Sequence, residues 1–396
     1  MVERFEYVHK VDAHTHILPK AIPDMRKKYG YGDWVRVETT HVDGEHKHRM
    51  YKGEEFFRDV DDNCIEPAAR LIDCDADDVA VQVLSTVPVM FAYWAEPEHC
   101  LETCVRINDE IAEIVRREPR RFIGLGTVPM QHPELAAQEL RRCVTELGFP
   151  GVQIGSNIDS PLDSDAECRN LSEPMFEAFW EACNELSVCV MVHPWNMMGF
   201  DSMRKYWLPW LVGMPAECSR ALCSLMFGGV FERYPNIRFM FAHGGGSFPA
   251  TIGRIEHGWR CRPDLCRVDN ERNPRDYLGH FWLDSAVHDP VALDNVVRLV
   301  GEDKVLLGTD YPFPLGEWRP GKLIQEMRGA EWTPQRKQRL LWHNVFAWLG
   351  IDDKPYRLTA VDAERMGAVP WWHSSCNTSH VDKSALDEQN ESNRSQ

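Results

Sequence analysis

The chain is short of the features that mark several large protein classes. No run of 18 or more apolar residues occurs: the most apolar stretch, 79–95, is broken by Gln82, Ser85, Thr86 and Pro88, and falls short of a bilayer span. No membrane segment is therefore expected. No block of Lys and Arg stands out against a formal charge of −17, so a nucleic-acid partner, which needs a concentrated basic surface, is not expected either. The 13 cysteines are odd in number and form no C-x-x-C pair, and Met1-Val2-Glu3-Arg4-Phe5-Glu6 carries no apolar run of the signal-peptide kind. Reduced thiols and a cytoplasmic location follow as expectations. No G-x-G-x-x-G stands after the first candidate strand, which removes the main signature of a dinucleotide-binding doubly wound sheet.

What the chain does have is a repeat of short apolar runs. Runs rich in β-branched and aliphatic residues recur at 8–16, 79–86, 122–128, 151–156, 188–193, 237–243, 281–286 and 305–310. Helix-periodic segments lie between most of them, among them 101–117, 133–147, 174–186 and 293–300. Strand alternating with helix predicts a parallel α/β fold, and eight such units predict a closed (β/α)8 TIM barrel. An open doubly wound sheet is the rival architecture. The barrel domain is expected to occupy 1–353, with 21–66 as a lid insertion after the first strand. That segment carries the alternating Trp34-Val35-Arg36-Val37 and a polar turn across His41 to His48, the pattern of a hairpin. Residues 354–396, increasingly rich in Ser, Asn, Asp and Glu, are expected to be a disordered tail.

The chemistry is carried by residues at the predicted strand ends. His14 and His16, two apart in a strand, point the same way. His193, His243 and Asp310 also stand at carboxyl ends of predicted strands, where barrel enzymes gather their catalytic groups. Neutral imidazoles and a carboxylate without thiolates suit Zn²⁺ better than Mn²⁺ or Fe²⁺. The fourth strand run, Gly151-Val152-Gln153-Ile154-Gly155-Ser156, offers no lysine to bridge two ions, so one Zn²⁺ per chain is expected. His14, His16, His193 and Asp310 can hold it and activate a water. His243, followed by Gly244-Gly245-Gly246, can act as the base, with His243 and Asp310 as the catalytic pair. Three further histidines, His41, His46 and His48, make no claim to be ligands.

This arrangement resembles the amidohydrolase superfamily: His-x-His on strand one, His on strands five and six, Asp on strand eight. The resemblance extends to the metal-dependent decarboxylases of that superfamily. It is carried by Ile17-Leu18-Pro19-Lys20, Leu84-Ser85-Thr86-Val87-Pro88-Val89-Met90, Gly148-Phe149-Pro150-Gly151, Tyr206-Trp207-Leu208-Pro209-Trp210, Phe241-Ala242-His243-Gly244-Gly245-Gly246 and Leu307-Gly308-Thr309-Asp310-Tyr311-Pro312-Phe313. It implies non-oxidative decarboxylation of 2-amino-3-carboxymuconate 6-semialdehyde, a small dicarboxylate, in tryptophan catabolism. It also implies a zinc-dependent homodimer. Arg58 and Arg254 are implied as the substrate's carboxylate anchors, with Arg254 reaching the neighbouring subunit's pocket. Trp210, Met197, Phe57 and Phe313 are expected to line the chain's own substrate pocket. Asn196 departs from the pattern, which has an aspartate three residues after the strand-five histidine. Three rival readings stay open: a decarboxylase of a resorcylate-like aromatic acid, a metal-dependent lactone or amide hydrolase, and a non-catalytic scaffold keeping the barrel.

Overall fold

The computed structural model describes residues 9–42, 45–159 and 168–357. Eight parallel strands form its centre: β1 Lys10–Ile17, β2 Val79–Thr86, β3 Phe122–Gly124, β4 Gly151–Gly155, β5 Cys189–His193, β6 Arg238–Phe241, β7 Trp282–Asp284 and β8 Val305–Leu306. One ladder joins β1, β2 and β3, and a second runs β8-β7-β6-β5-β4. Two seams unite them. Gly126, just past β3, donates to the Gly151 carbonyl at 3.0 Å and accepts from the Gln153 amide at 2.8 Å. On the other side the Ala13 amide donates to the Leu307 carbonyl at 2.9 Å and the Asp310 amide to the His14 carbonyl at 2.9 Å. The ring is therefore closed through backbone hydrogen bonds, and no strand edge is left to solvent.

Several strands are shorter than the apolar runs predict. The runs at 122–128, 237–243, 281–286 and 305–310 pair as strands only over their first residues or middles, and the remainder turns outward at the barrel mouth. Their apolar character reflects burial beneath helices, which does not require ladder pairing. Phe239 and Phe241 on β6 pack outward against Trp180, Phe231 and Phe281, where the surrounding helices bury them. Residues at period two on the opposite face look into the barrel, so Cys189 and Met191 on β5 lie beneath His193 and fill the floor under the site. Amphipathic helices Pro97–Arg117, Pro133–Thr145, Glu177–Glu185 and Pro290–Val300 cover the outside. The last begins at Asp289, whose carboxylate accepts from the Ala292 amide at 2.8 Å, a cap that satisfies a backbone donor the helix cannot. Among the described residues no helix is long and apolar enough to cross a membrane.

The insertion is a three-stranded antiparallel sheet, Val35–Val42, Glu45–Lys52 and Glu55–Val60. The polar segment expected as a turn across His41 to His48 is mostly strand: His41 pairs with His46 and Thr39 with His48. Polar residues alternate there on a largely solvated sheet, which is why composition alone reads as turn. Val35, Met50, Cys64 and Ile65 join the lid to the apolar residues around β1 and β2. Barrel packing continues past 353: Lys354–Tyr356 forms a turn whose Tyr356 ring lies 5.3 Å from that of Phe346. Of the tail expected over 354–396, residues 358–396 lie outside the described residues.

Candidate metal centre at the barrel mouth

Asp310 draws four imidazoles together. Its Oδ1 is 3.4 Å from His14 Nε2, 3.0 Å from His16 Nε2 and 3.8 Å from His193 Nε2. Its Oδ2 faces the fourth, His243 Nε2, at 3.5 Å. His14, His16, His193 and Asp310 each offer one ligand atom within 4.8 Å of the others. The division places three Nε2 atoms on one carboxylate oxygen and His243 on the other.

The tautomers explain why this cluster calls for a cation. His14 Nδ1 is 2.7 Å from Asp284 Oδ2, His16 Nδ1 is 3.0 Å from the Thr86 carbonyl, and His193 Nδ1 is 2.8 Å from the Pro194 carbonyl. Each neighbour only accepts, so each Nδ1 carries the proton and each Nε2 presents a lone pair. His14 Nε2 and His16 Nε2 then face each other at 3.1 Å. His193 Nε2 is buried with no hydrogen-bond partner. Converging lone pairs and a carboxylate repel one another unless a positive charge stands between them, and a divalent ion fits that donor set.

Protonation follows from the same contacts. Burial works to raise the Asp310 pKa, but the close imidazoles of His14, His16, His193 and His243 outweigh it and hold the carboxyl well below the ordinary range. Burial pushes His193 well below the ordinary histidine value and lowers His16 as well. Burial also pulls on His14 and His243, yet carboxylates lift both above the ordinary value: Asp284 and Asp310 for His14, Asp310 first for His243. His243 is thus the more basic imidazole beside a neutral His193.

The backbone around His243 is held in a shape few residues accept. His243, Gly244, Gly245 and Gly246 all have positive φ, from 56° to 75°. A Cβ on Gly246 would sit 2.2 Å from the Pro215 carbonyl oxygen, so only glycine fits there. Asp284 over-determines the turn, accepting from the amides of His243 at 2.9 Å and Gly244 at 2.7 Å. The same carboxylate orients His14, so one side chain sets both the His14 ring and the His243 turn. Sequence reasoning missed Asp284, although it stands at the end of β7 as the other site residues stand at theirs. It also missed Arg70 and Glu217. Arg70 is fully buried, donates to Thr15 Oγ1 at 3.2 Å and to the His16 carbonyl, and braces β1 beneath the site. Glu217 accepts from the Trp195 and Asn196 amides at 3.2 and 3.1 Å and shapes the loop after His193. These two carry no strand-end signal and could not be picked out.

A narrow cavity of about 40 Å³ opens over the cluster, lined by His16, His193, Phe57, Arg58, Trp210 and Phe313 among others. Arg58 comes from the third lid strand. Burial lowers its pKa, its guanidinium lies 5.0 Å over the Phe313 ring, and no carboxylate among the described residues forms an ion pair with it. A larger hollow of about 340 Å³ adjoins on the His243 side and shares Trp210, Met214, Asp310 and Leu315 with the first. Met197 does not line either space: it is buried with φ 55°, its backbone against Gly213. Arg254 is exposed on helix Phe248–Cys261, one turn beyond Ala250, which lines the larger hollow. Within one chain it reaches neither space. Asn196 is turned away from the cluster, donating to Asp159 Oδ1 at 2.7 Å, so its departure from the aspartate pattern leaves the ligands' partners untouched.

A closed parallel barrel with a His-and-carboxylate metal site at the carboxyl ends of its strands defines a metal-dependent barrel enzyme. The family model described as Amidohydrolase matches residues 11–351, and the chain belongs to that family. It is 53% identical over 347 residues to the 2-amino-3-carboxymuconate-6-semialdehyde decarboxylase of Dictyostelium discoideum, covering 88% of this chain and 93% of that one. The Caenorhabditis elegans protein of the same name is 38% identical, with 87% and 95% covered. The solved structure of a dihydroxybenzoic acid decarboxylase from Polaromonas sp. JS666, with bound manganese and 2-nitroresorcinol, matches with a TM-score of 0.68 at 22% identity. It covers 88% of this chain and 99% of that one, and attests to the shared fold.

Proposed function

We propose that this protein catalyses the non-oxidative decarboxylation of 2-amino-3-carboxymuconate 6-semialdehyde to 2-aminomuconate 6-semialdehyde, a step of tryptophan catabolism by the kynurenine route. The observation that carries the reading is the division of Asp310 between three ligand imidazoles and His243, in a chain so similar to decarboxylases of that name. His14, His16, His193 and Asp310 would hold one divalent cation, with Zn²⁺ the first choice for imidazole and carboxylate donors. When bound, such an ion supplies Lewis acidity and lowers the pKa of a water.

The chain's own groups do the rest. Decarboxylation exchanges a carbon–carboxylate bond for a carbon–hydrogen bond, so a proton must reach the carbon that CO₂ leaves. His243 Nε2, kept basic by Asp310, takes a proton from water and returns it to that carbon, and a proton from solvent neutralises the hydroxide left behind as CO₂ departs. Arg58 pairs with a substrate carboxylate in the bidentate manner a guanidinium allows. Phe57, Trp210 and Phe313 exclude bulk water around it, which strengthens that pairing.

A homodimer with a shared site completes the reading. Arg254, stranded outside its own chain's pocket, is the second carboxylate anchor, supplied to the partner. In support, Tyr206 is 82% exposed and Leu211 and Val212 48% each, an apolar stretch beside the cavity that a second copy would cover. The described cysteines are all free thiols, in keeping with a reducing, cytoplasmic setting.

The test is turnover. Purified protein carrying a full equivalent of zinc should consume freshly generated aminocarboxymuconate semialdehyde, followed by loss of its absorbance and release of CO₂. Absence of turnover under those conditions sinks the proposal, and turnover of a resorcylate or a lactone instead selects one of the rivals. Mixing inactive Arg58→Ala and Arg254→Ala subunits should restore part of the activity, since one pocket of each heterodimer keeps both arginines. Verified heterodimers without activity would count against the shared site.

A further inference from the structure

The lid histidines have no part in the chemistry at the barrel mouth, yet the fold gathers them. His46 and His48 alternate on the strand Glu45–Lys52 and so share one of its faces. Asp62 begins the short turn that follows the third lid strand. His48 Nε2 lies 2.7 Å and His46 Nδ1 3.9 Å from the same oxygen, Asp62 Oδ1. One ligand atom from each of the three lies within 4.8 Å of the others. His41, opposite His46 in the ladder, sets its ring edge-on at 4.5 Å from that of His46.

A simple latch between His48 and Asp62 would need only those two residues. It leaves unexplained why a second imidazole is brought to the same oxygen and a third stands against it. His48 is built as ligand imidazoles are: its ring is 3% exposed, its Nδ1 is engaged by Thr39 Oγ1 at 2.8 Å, and its Nε2 is aimed at the carboxylate. An outer partner on one ring nitrogen fixes the direction in which the other presents itself.

We infer that the lid carries a second divalent-cation site formed by His46, His48 and Asp62, with the remaining coordination open to water or His41. Imidazole and carboxylate donors on a solvent-facing sheet suit Zn²⁺, or Ni²⁺ and Cu²⁺ of similar preference. Zinc–ligand bonds of about 2.0–2.1 Å in a tetrahedron place ligand atoms roughly 3.3 Å apart. The 2.7 Å separation must open and the 3.9 Å one close by about 0.6 Å each, within reach of side-chain rotation at half-exposed His46 and Asp62.

The site has a consequence for substrate binding. In the ladder His48 pairs with Val60 and Met50 with Arg58, so the edge strand bearing Phe57 and Arg58 runs alongside the strand that carries His46 and His48 and leads directly into Asp62. Occupancy stiffens the frame from which Arg58 reaches into the cavity, and the exposed position lets free metal concentration set that occupancy.

The experiment strips the full chain of metal, dialyses it against buffered Zn²⁺ and counts metal per chain by plasma mass spectrometry. Two equivalents are expected in the native chain and one in His46→Ala. Asp62→Asn is a second variant expected to lose the same equivalent. The double variant His14→Ala/His16→Ala should keep one equivalent without activity, and adding His46→Ala should remove it. Amide hydrogen exchange across 45–62 should slow on filling the second site in the native chain but not in His46→Ala. A single equivalent in the native chain, or two in His46→Ala, overturns the inference. The count holds whether or not the chain turns over the proposed substrate, so failure here is separate from failure of the catalytic reading.

Discussion

Among the described residues two clusters of imidazole and carboxylate stand out, built in opposite ways. The lid cluster takes its groups from one stretch, His46 to Asp62, on a sheet open to water. The mouth cluster takes its groups from three of the eight strand ends, His14 to Asp310, and buries its histidines almost completely. A local cluster forms as soon as its hairpin forms and can afford loose geometry. A distant one exists only when the barrel closes, and its imidazoles are held by a further layer of partners: Asp284, the Thr86 carbonyl and the Pro194 carbonyl. Preorganisation of that kind separates a centre that does chemistry from one that only binds.

The comparison is broken most severely at the ligands. His16→Ala should abolish binding at the mouth and reduce activity to background, while leaving the lid equivalent in place; metal analysis beside a CO₂-release assay reads both. A variant that keeps its catalytic ion would mean the mouth cluster is not the centre. Next comes His243→Ala, expected to retain that ion and to lose about 10²–10⁴-fold in kcat, the range for a removed general base. If it emerges metal-free, His243 is a ligand. Asp284→Asn should follow, with about 10–100-fold lost in metal affinity or activity, because the carboxylate that orients His14 and the His243 turn becomes a neutral amide. Equilibrium dialysis with zinc measures it, and an unchanged affinity and rate would remove Asp284 from the positioning role.

The smallest effect is on stability. Asp12, buried beneath the mouth, has its pKa raised to about 7, burial outweighing its hydrogen bonds to Thr309 and the His14 amide. The folded chain therefore keeps a proton that the unfolded chain, with an aspartate pKa near 3.9, has lost. That contribution to stability is complete below about pH 4 and disappears as pH rises through about 7. Asp12→Asn should flatten the decline of the unfolding midpoint across that window, as read by thermal melts at successive pH values. An unaltered slope would show that Asp12 does not carry it.

Much of the mouth was legible because it obeys a positional rule. His14, His16, His193, His243 and Asp310 each end an apolar run, and a parallel barrel collects such ends at one face. Asp284 obeys the same rule at the end of β7 and was readable in principle, but a single aspartate in Trp282-Leu283-Asp284-Ser285 does not announce a partner 270 residues away. Arg70 and Glu217 were not readable, since each lies inside an ordinary amphipathic helix and only the packed barrel turns it inward. Trp210, Phe57 and Phe313 reached the cavity as expected of aromatics near the mouth. Met197 did not, because its loop backbone turns through a positive φ and packs against Gly213.

Periodicity, the spacing of strand-end histidines and the resemblance they carry determined the alternating fold and the class of chemistry and singled out the residues proposed to hold the metal, because those depend on which residue types recur at which interval. The tertiary structure alone decided which oxygen of Asp310 serves the ligands and which serves His243, which tautomer each histidine holds, and that Arg254 ends outside its own pocket. Those are matters of ångströms between residues hundreds of positions apart. Local sequence fixes a side chain's identity and its face, while the distance between two faces is set only when the ring of strands closes.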